Sequence, residues 1–335
     1  MTLLSKSNKI YVAGSQGMVG SAICRLLNKK GFNENNNNLL KSSRKELNLQ
    51  RINDVQNWLS KNQPDIVIIA AAKVGGIFAN QSKPVDFLLE NLKIQNNLIE
   101  SSWKSGVKRL LFLGSSCIYP KFATQPIKEE YLLTNTLEET NQWYATAKIA
   151  GLKLCEALRR QYNFDAITVM PTNLYGQRDN YDLKNGHVMA SLIRKFYEAK
   201  INNLKEVNCW GSGLPLREFL YVDDLAEACL FLLENWHPSH ENAPKNNKGE
   251  SLNWLNIGSD FEISIKELAN KISSIVGYEG NIKWDKTKPD GTPRKKLDTT
   301  HINNLGWQPK TDLDNGIKKT LTFFQEELNY LDIEY

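Results

Sequence analysis

At 335 residues, 41% apolar and 24% charged, the chain is long enough for one large or two intimate domains and has an ordinary globular composition, which excludes a disordered or fibrous protein. Its 42 basic and 37 acidic residues, net +5, are spread without a basic block or interleaved aromatics, so no nucleic-acid footprint is expected, although a mildly positive field suits a phosphate-bearing substrate. The five cysteines include no CxxC pair and indicate neither a disulfide framework nor a metal site; with no apolar leader and no run near the ~18 apolar residues that span a membrane, the expected location is cytoplasmic.

In chain order, residues 9–13 predict a first strand running into Gly14-Ser15-Gln16-Gly17-Met18-Val19-Gly20, after which Ala22, Ile23, Leu26 and Leu27 set a helical period. A GxxGxxG turn between a first strand and a first helix gives the backbone room to approach a pyrophosphate and present helix amides to it. Residues 33–38 predict a surface loop, and 39–41 a short second strand followed by Ser42, Ser43 and Arg44. An acidic residue there would hold a ribose 2′-hydroxyl, whereas hydroxyls and an arginine suit a 2′-phosphate and favour NADP(H); an arginine that only faces solvent is the alternative. Residues 66–72 predict a third, buried strand, and 84–106 a long helix apolar enough to meet a second copy in a two-fold dimer.

A fourth strand, 109–113, leads into Gly114-Ser115-Ser116-Cys117, placing hydroxyls and a thiol at a strand's carboxyl end, where open α/β sheets bind ligands. Tyr144 and Lys148 stand four apart on one face of the next helix, and an ammonium there is expected to lower the phenol's pKa from ~10 toward neutrality. A further strand, 166–170, ends in Pro171-Thr172-Asn173-Leu174, in position to touch a cofactor. The alternation predicts an α/β fold with a doubly wound parallel sheet. Beyond it His187 opens a helix, Val222 starts another with Asp223 or Asp224 as expected N-cap, and the texture suggests a smaller mixed α/β lobe that closes over substrate. The expected division is 1–176, mainly a Rossmann lobe for NADP, and 177–335, mainly a substrate lobe with segments returning to the first.

With the glycine turn, strand-end Ser115 and the Tyr144–Lys148 pair in place, the chain resembles the extended short-chain dehydrogenase/reductase family. The resemblance is strongest to its branch of 3,5-epimerase/4-reductases acting on GDP-4-keto-6-deoxy-mannose; Ala70 to Gly76, Met170 to Gly176, Trp210-Gly211-Ser212-Gly213 and Arg217-Glu218-Phe219 extend it. It implies that Cys117 and His187 are the base and acid of epimerisation, that Tyr144 protonates the reduced C4 oxygen, that Lys148 tunes Tyr144, and that Ser115 bonds the ketone oxygen. It further implies cofactor contacts from Gly14 to Gly20, Arg44, Leu113 to Ser116, Lys148, Pro171 to Leu174 and His187. Lys195, Trp210, Arg217, Asp290 and Lys295 are the implied GDP-sugar contacts. Gln16 stands where relatives often carry arginine, and Lys195 likewise, exchanging a fork for a point charge. Another nucleotide-sugar epimerase, reductase or dehydratase is the rival within the fold, and a silent dinucleotide-binding regulator the rival outside it.

Overall fold

The computed structural model describes residues 3–333. In chain order the first half contains β1 (Ile10–Ala13), α1 (Met18–Lys29), β2 (Leu39–Lys41), α2 (Ile52–Asn62), β3 (Ile66–Ile69), α3 (Ile77–Ser82), α4 (Pro84–Lys104), β4 (Arg109–Leu113), α5 (Gln142–Tyr162), β5 (Asp165–Pro171) and β6 (Asn173–Tyr175). The second contains α6 (Val188–Ile201), β7 (Glu206–Trp210), β8 (Leu216–Tyr221), α7 (Val222–Asn235), β9 (Trp254–Ile257), β10 (Glu262–Ser264), α8 (Ile265–Val276), β11 (Asn281–Asp285), β12 (Arg294–Lys295), α9 (Thr300–Leu305) and α10 (Leu313–Ile333).

The apolar runs become strands because both faces of each are buried. Ile10, Val12, Ile66, Ile68, Leu111, Ile167 and Val169 pack toward α1 and α7. The intervening Tyr11, Ala13, Val67, Ile69, Leu110 and Phe112 pack into the opposite layer, under α2, α4 and α5. Each large apolar side chain so buried contributes roughly 1.5–3 kcal/mol. The strands pair in parallel in the order β2-β1-β3-β4-β5-β9, the expected doubly wound sheet. Chain order departs in opposite directions from β1, so the switch point, and the crevice it opens, lies between β1 and β3.

A second group of strands centres on β8, paired with β6, β10 and β12, while β7 and β11 form a separate parallel pair. Glu218 on β8 is fully buried and accepts from the amides of Ser259 (2.7 Å), Asp260 (2.9 Å) and Leu297 (3.0 Å), drawing the β9–β10 loop and the segment after β12 onto one carboxylate. Burial raises this carboxyl above its usual range, and the amide bonds oppose the rise.

Two local expectations are corrected. The third strand ends at Ile69, and residues 70–76 run on as irregular backbone beside the crevice. Neither Asp223 nor Asp224 caps α7: β8 runs straight into it with Tyr221 at the N-cap, so both carboxylates fall in the first turn, Asp223 on Arg25 (2.6 Å) and Asp224 on the Thr311 amide (2.9 Å). Among the described residues no helix is long and apolar enough to cross a membrane.

Candidate active site

A cavity of about 490 Å³ lies at the carboxyl ends of the parallel strands and extends under β8 and β12. At one end is the glycine turn. Gly14 has φ +83°, and a Cβ there would stand 2.7 Å from the Ala71 amide nitrogen; one on Gly20 would stand 2.1 Å from Gly14 O. A Cβ on Gly17 would meet only Gly14 O, at 3.5 Å, so this glycine leaves space toward the cavity that it lines. The first turn of α1 carries no acidic residue, which leaves its amides and dipole available to an anion. Space, amides and charge therefore fit a dinucleotide pyrophosphate.

Of the cofactor residues expected from sequence, Gly17, Met18, Val19, Leu113, Gly114, Ser115, Ser116, Lys148, Pro171, Thr172, Asn173, Leu174 and His187 line the cavity. Gly14, Ser15, Gln16 and Gly20 build the turn from behind, and Arg44 is exposed past the end of β2. Ser42 is tied by its hydroxyl to Tyr11 (2.7 Å), and Ser43 and Glu46 bond reciprocally, which fixes the turn carrying Arg44.

The chemistry-bearing residues meet midway along the cavity. Ser115 lies two residues past β4 and caps a single 3₁₀ turn over Ser116–Ile118, its Oγ accepting from the Cys117 amide at 3.2 Å. That turn directs Cys117 toward β12, where Lys295 Nζ lies 3.5 Å from its Sγ. Lys295 is only 9% exposed and joins no ion pair among the described residues, so its charge is placed where a thiolate would carry the opposite one. Tyr144 is half-buried on α5, and Lys148, one turn on and 3% exposed, donates to Leu113 O at 2.7 Å.

The expected lowering of the Tyr144 phenol is overturned. Burial pushes it up, Cys117 adds to the rise, and only a hydrogen bond with Ser115 opposes it. The same burial brings Lys148 down to about 7, since its Nζ rests against the faces of Phe112 (4.7 Å) and Tyr144 (5.8 Å) and has no carboxylate partner among the described residues. A lysine so desolvated supplies little positive charge to a neighbour. The phenol is thus a proton donor that stays protonated until a stronger base forms beside it.

His187 is the N-cap residue of α6 and faces the cavity. Deeper in the second lobe, Lys195 reaches over Trp210 at 5.4 Å and Lys288 approaches the same ring at 5.7 Å. Burial lowers both Lys195 and Arg217 from their usual ranges. Lys195, Arg217 and Lys295 line one end of the cavity without an ion-paired carboxylate among the described residues, a charge arrangement suited to a diphosphate. Asp290 also lines it, but its carboxylate accepts from Ser212 N (2.7 Å) and Oγ (2.8 Å), so it shapes the 211–213 turn.

Three lining or neighbouring groups were not visible in the motifs. Glu138, 6% exposed, accepts from the Thr140 amide at 3.0 Å and lies 3.7 Å from Lys121 Nζ. With Asn141, whose buried Oδ1 has no partner among the described residues, it borders a chamber of about 10 Å³ behind Cys117, room for one water. Asp179 lies in the irregular stretch between β6 and α6, where no periodicity marks it.

A profile of the NAD dependent epimerase/dehydratase family matches residues 10–243. The chain is 52% identical over 323 residues to "GDP-L-fucose synthase 1" of Arabidopsis thaliana, covering 96% of this chain and 95% of that protein. It is 46% identical over 318 residues to "GDP-L-fucose synthase" of Escherichia coli K12, covering 95% and 97%. Among solved structures, a GDP-L-fucose synthetase from Naegleria fowleri bound to NADP superimposes with a TM-score of 0.83 at 27% identity, covering 98% of this chain and 97% of that one.

Proposed function

The chain belongs to the NAD dependent epimerase/dehydratase family, and we propose that it converts GDP-4-dehydro-6-deoxy-D-mannose to GDP-L-fucose, by 3,5-epimerisation and NADPH-dependent reduction of the 4-ketone. One observation carries this reading: a single cavity is lined by a proton-donor pair (Ser115, Tyr144), a thiol facing a cation (Cys117, Lys295), an imidazole (His187) and three cations for a diphosphate. NADPH, when bound, supplies the hydride that reduces C4. It would be held by the glycine turn and α1 amides, by Ser115, Ser116, Lys148 and residues 171–174, and by Arg44 at its 2′-phosphate.

The chain's own residues do the rest. A C4 ketone acidifies the protons at C3 and C5, and the resulting enolate places negative charge on the C4 oxygen. Ser115 donates to that oxygen. Cys117 takes a proton from one face, its thiolate stabilised by Lys295, and His187 returns one from the other. After epimerisation Tyr144 gives its proton to the C4 alkoxide, and Lys148, held on Leu113 O, supports the phenol from one helical turn on. Lys195, Trp210, Arg217 and Lys295 bind the GDP portion. Residues 1–176 mainly serve the cofactor and 177–335 the sugar nucleotide, in a cytoplasmic enzyme. α4 packs on α5 yet leaves Val85 and Leu89 exposed, a face suited to a second copy of the chain.

The test is NADPH consumption with GDP-4-keto-6-deoxy-mannose and NMR of the product sugar. GDP-L-fucose is expected. An unepimerised GDP-6-deoxyhexose would refute the roles of Cys117 and His187, and no oxidation would refute the substrate.

A further inference from the structure

We propose that Asp179 is a positioning residue for His187, holding the imidazole with its Nδ1 proton toward the carboxylate and Nε2 toward the sugar; this rests on His187 being the epimerisation acid. Asp179 Oδ1 approaches His187 Nδ1 to 4.0 Å, and the Asp179 side chain is 3% exposed against 43% for the imidazole. Its Oδ1 accepts from the Asn180 amide at 2.7 Å, whereas Oδ2 is buried without a hydrogen-bond partner among the described residues. A buried carboxylate left half-paired costs stability, and the His187 imidazole, which faces this carboxylate, is able to donate to it.

The segment between them is pinned at several points. Asp179 N donates to Gly176 O (3.2 Å), Gly186 N to Asp182 O (2.8 Å) and Gly76 N to Asn185 O (2.9 Å). Other charged groups nearby are engaged elsewhere: Arg178 reaches Gln16 O at 3.4 Å, and Arg194 pairs with Glu198 at 2.6 Å. Tyr181, raised by burial and further by Asp179, donates its hydroxyl to Thr320 O. The 4.0 Å gap is longer than a hydrogen bond, and such contacts tighten when substrate fills a site.

The assignment follows from the two ring nitrogens. When the enolate's electron pair takes the Nε2 proton, a C–H bond forms as the N–H bond breaks. A neutral imidazole then remains with its proton on Nδ1, facing Asp179, and solvent restores the Nε2 proton. Unaided, neutral imidazole carries its proton on Nε2, the wrong atom for this cycle, so the carboxylate selects the tautomer.

Nitrogen-15 NMR of the histidine-labelled, NADPH-bound protein tests this, with the His187 signals assigned by their loss in His187→Gln. Neutral His187 is expected as the Nδ1–H tautomer, and as Nε2–H in Asp179→Ala. With GDP-4-keto-6-deoxy-mannose in D₂O, that variant should still exchange the C3 proton but invert C3 and C5 roughly 10–100-fold more slowly. An Nε2–H tautomer in the unmodified protein overturns the proposal, whether or not the variant folds, as does native inversion in Asp179→Ala. If His187→Gln inverts both carbons normally, the acid role beneath the proposal fails instead.

Discussion

Replacing Lys148 by methionine tests the reversed electrostatics of the site. In the folded protein burial lowers Lys148 to about 7, whereas in the unfolded chain it returns to the ordinary value of 10.5. Between these values the unfolded chain binds the extra proton, so stability rises with pH. Below pH 7 both states are protonated, and the folded protein bears the whole cost of a buried ammonium. Lys148→Met, similar in length and without charge, is therefore more stable than the unmodified protein at neutral pH, though it forfeits the bond to Leu113 O, worth about 1 kcal/mol. A fully titrating proton contributes about 1.4 kcal/mol per pH unit, so the variant's advantage should shrink by about 2 kcal/mol between pH 7 and 9. Taking the difference between two proteins cancels the other titrations, including Glu129, raised by burial to about 7. Urea unfolding of both cofactor-free proteins at pH 6.5–9 measures it. A difference that stays flat across that range would mean that Lys148 remains an ammonium, and the account of Tyr144 given above would be refuted.

Further substitutions separate the steps. Tyr144→Phe should spare deuterium incorporation at C3 and C5 while slowing NADPH oxidation by about 10²–10⁴; joint loss of both would contradict separate roles. Cys117→Ser should remove that incorporation and leave NADPH binding, measured by fluorescence titration, unchanged; undiminished exchange would eliminate the thiol as base. Arg44→Ala should weaken NADPH by roughly tenfold or more and NADH hardly at all, and equal effects would leave the 2′-phosphate without its partner. Gly20→Ala drives a Cβ against Gly14 O, 2.1 Å away in the present backbone, so the turn must shift; cofactor affinity and melting temperature should fall together, and native values for both would refute the packing argument.

The parts legible in the sequence are those governed by short spacing. The β1–turn–α1 unit, the apolar strands and the Tyr144–Lys148 face are local patterns, and the fold realises them, with the third strand ending at Ile69. β9 was harder, because Trp254–Ile257 is four residues long and nothing in so short a run specifies that it joins β5 at the far edge of the main sheet. Asp179 was harder still, lying in irregular backbone where its neighbours are set by the loop's path.

Spacing conveys proximity, whereas the effect of proximity on a proton depends on solvation. Four residues on one helix face bring the Lys148 ammonium to the Tyr144 ring, and in water that would favour a phenolate. Under Leu113 and against Phe112 the ammonium is itself the disfavoured species, so desolvation reverses the expected direction for the phenol. The depth that causes this comes from α4, α5 and the sheet closing together, a long-range property absent from any local pattern. It also suits the chemistry, since a phenol that resists ionisation keeps its proton through the enolate stage and releases it to the more basic alkoxide at C4.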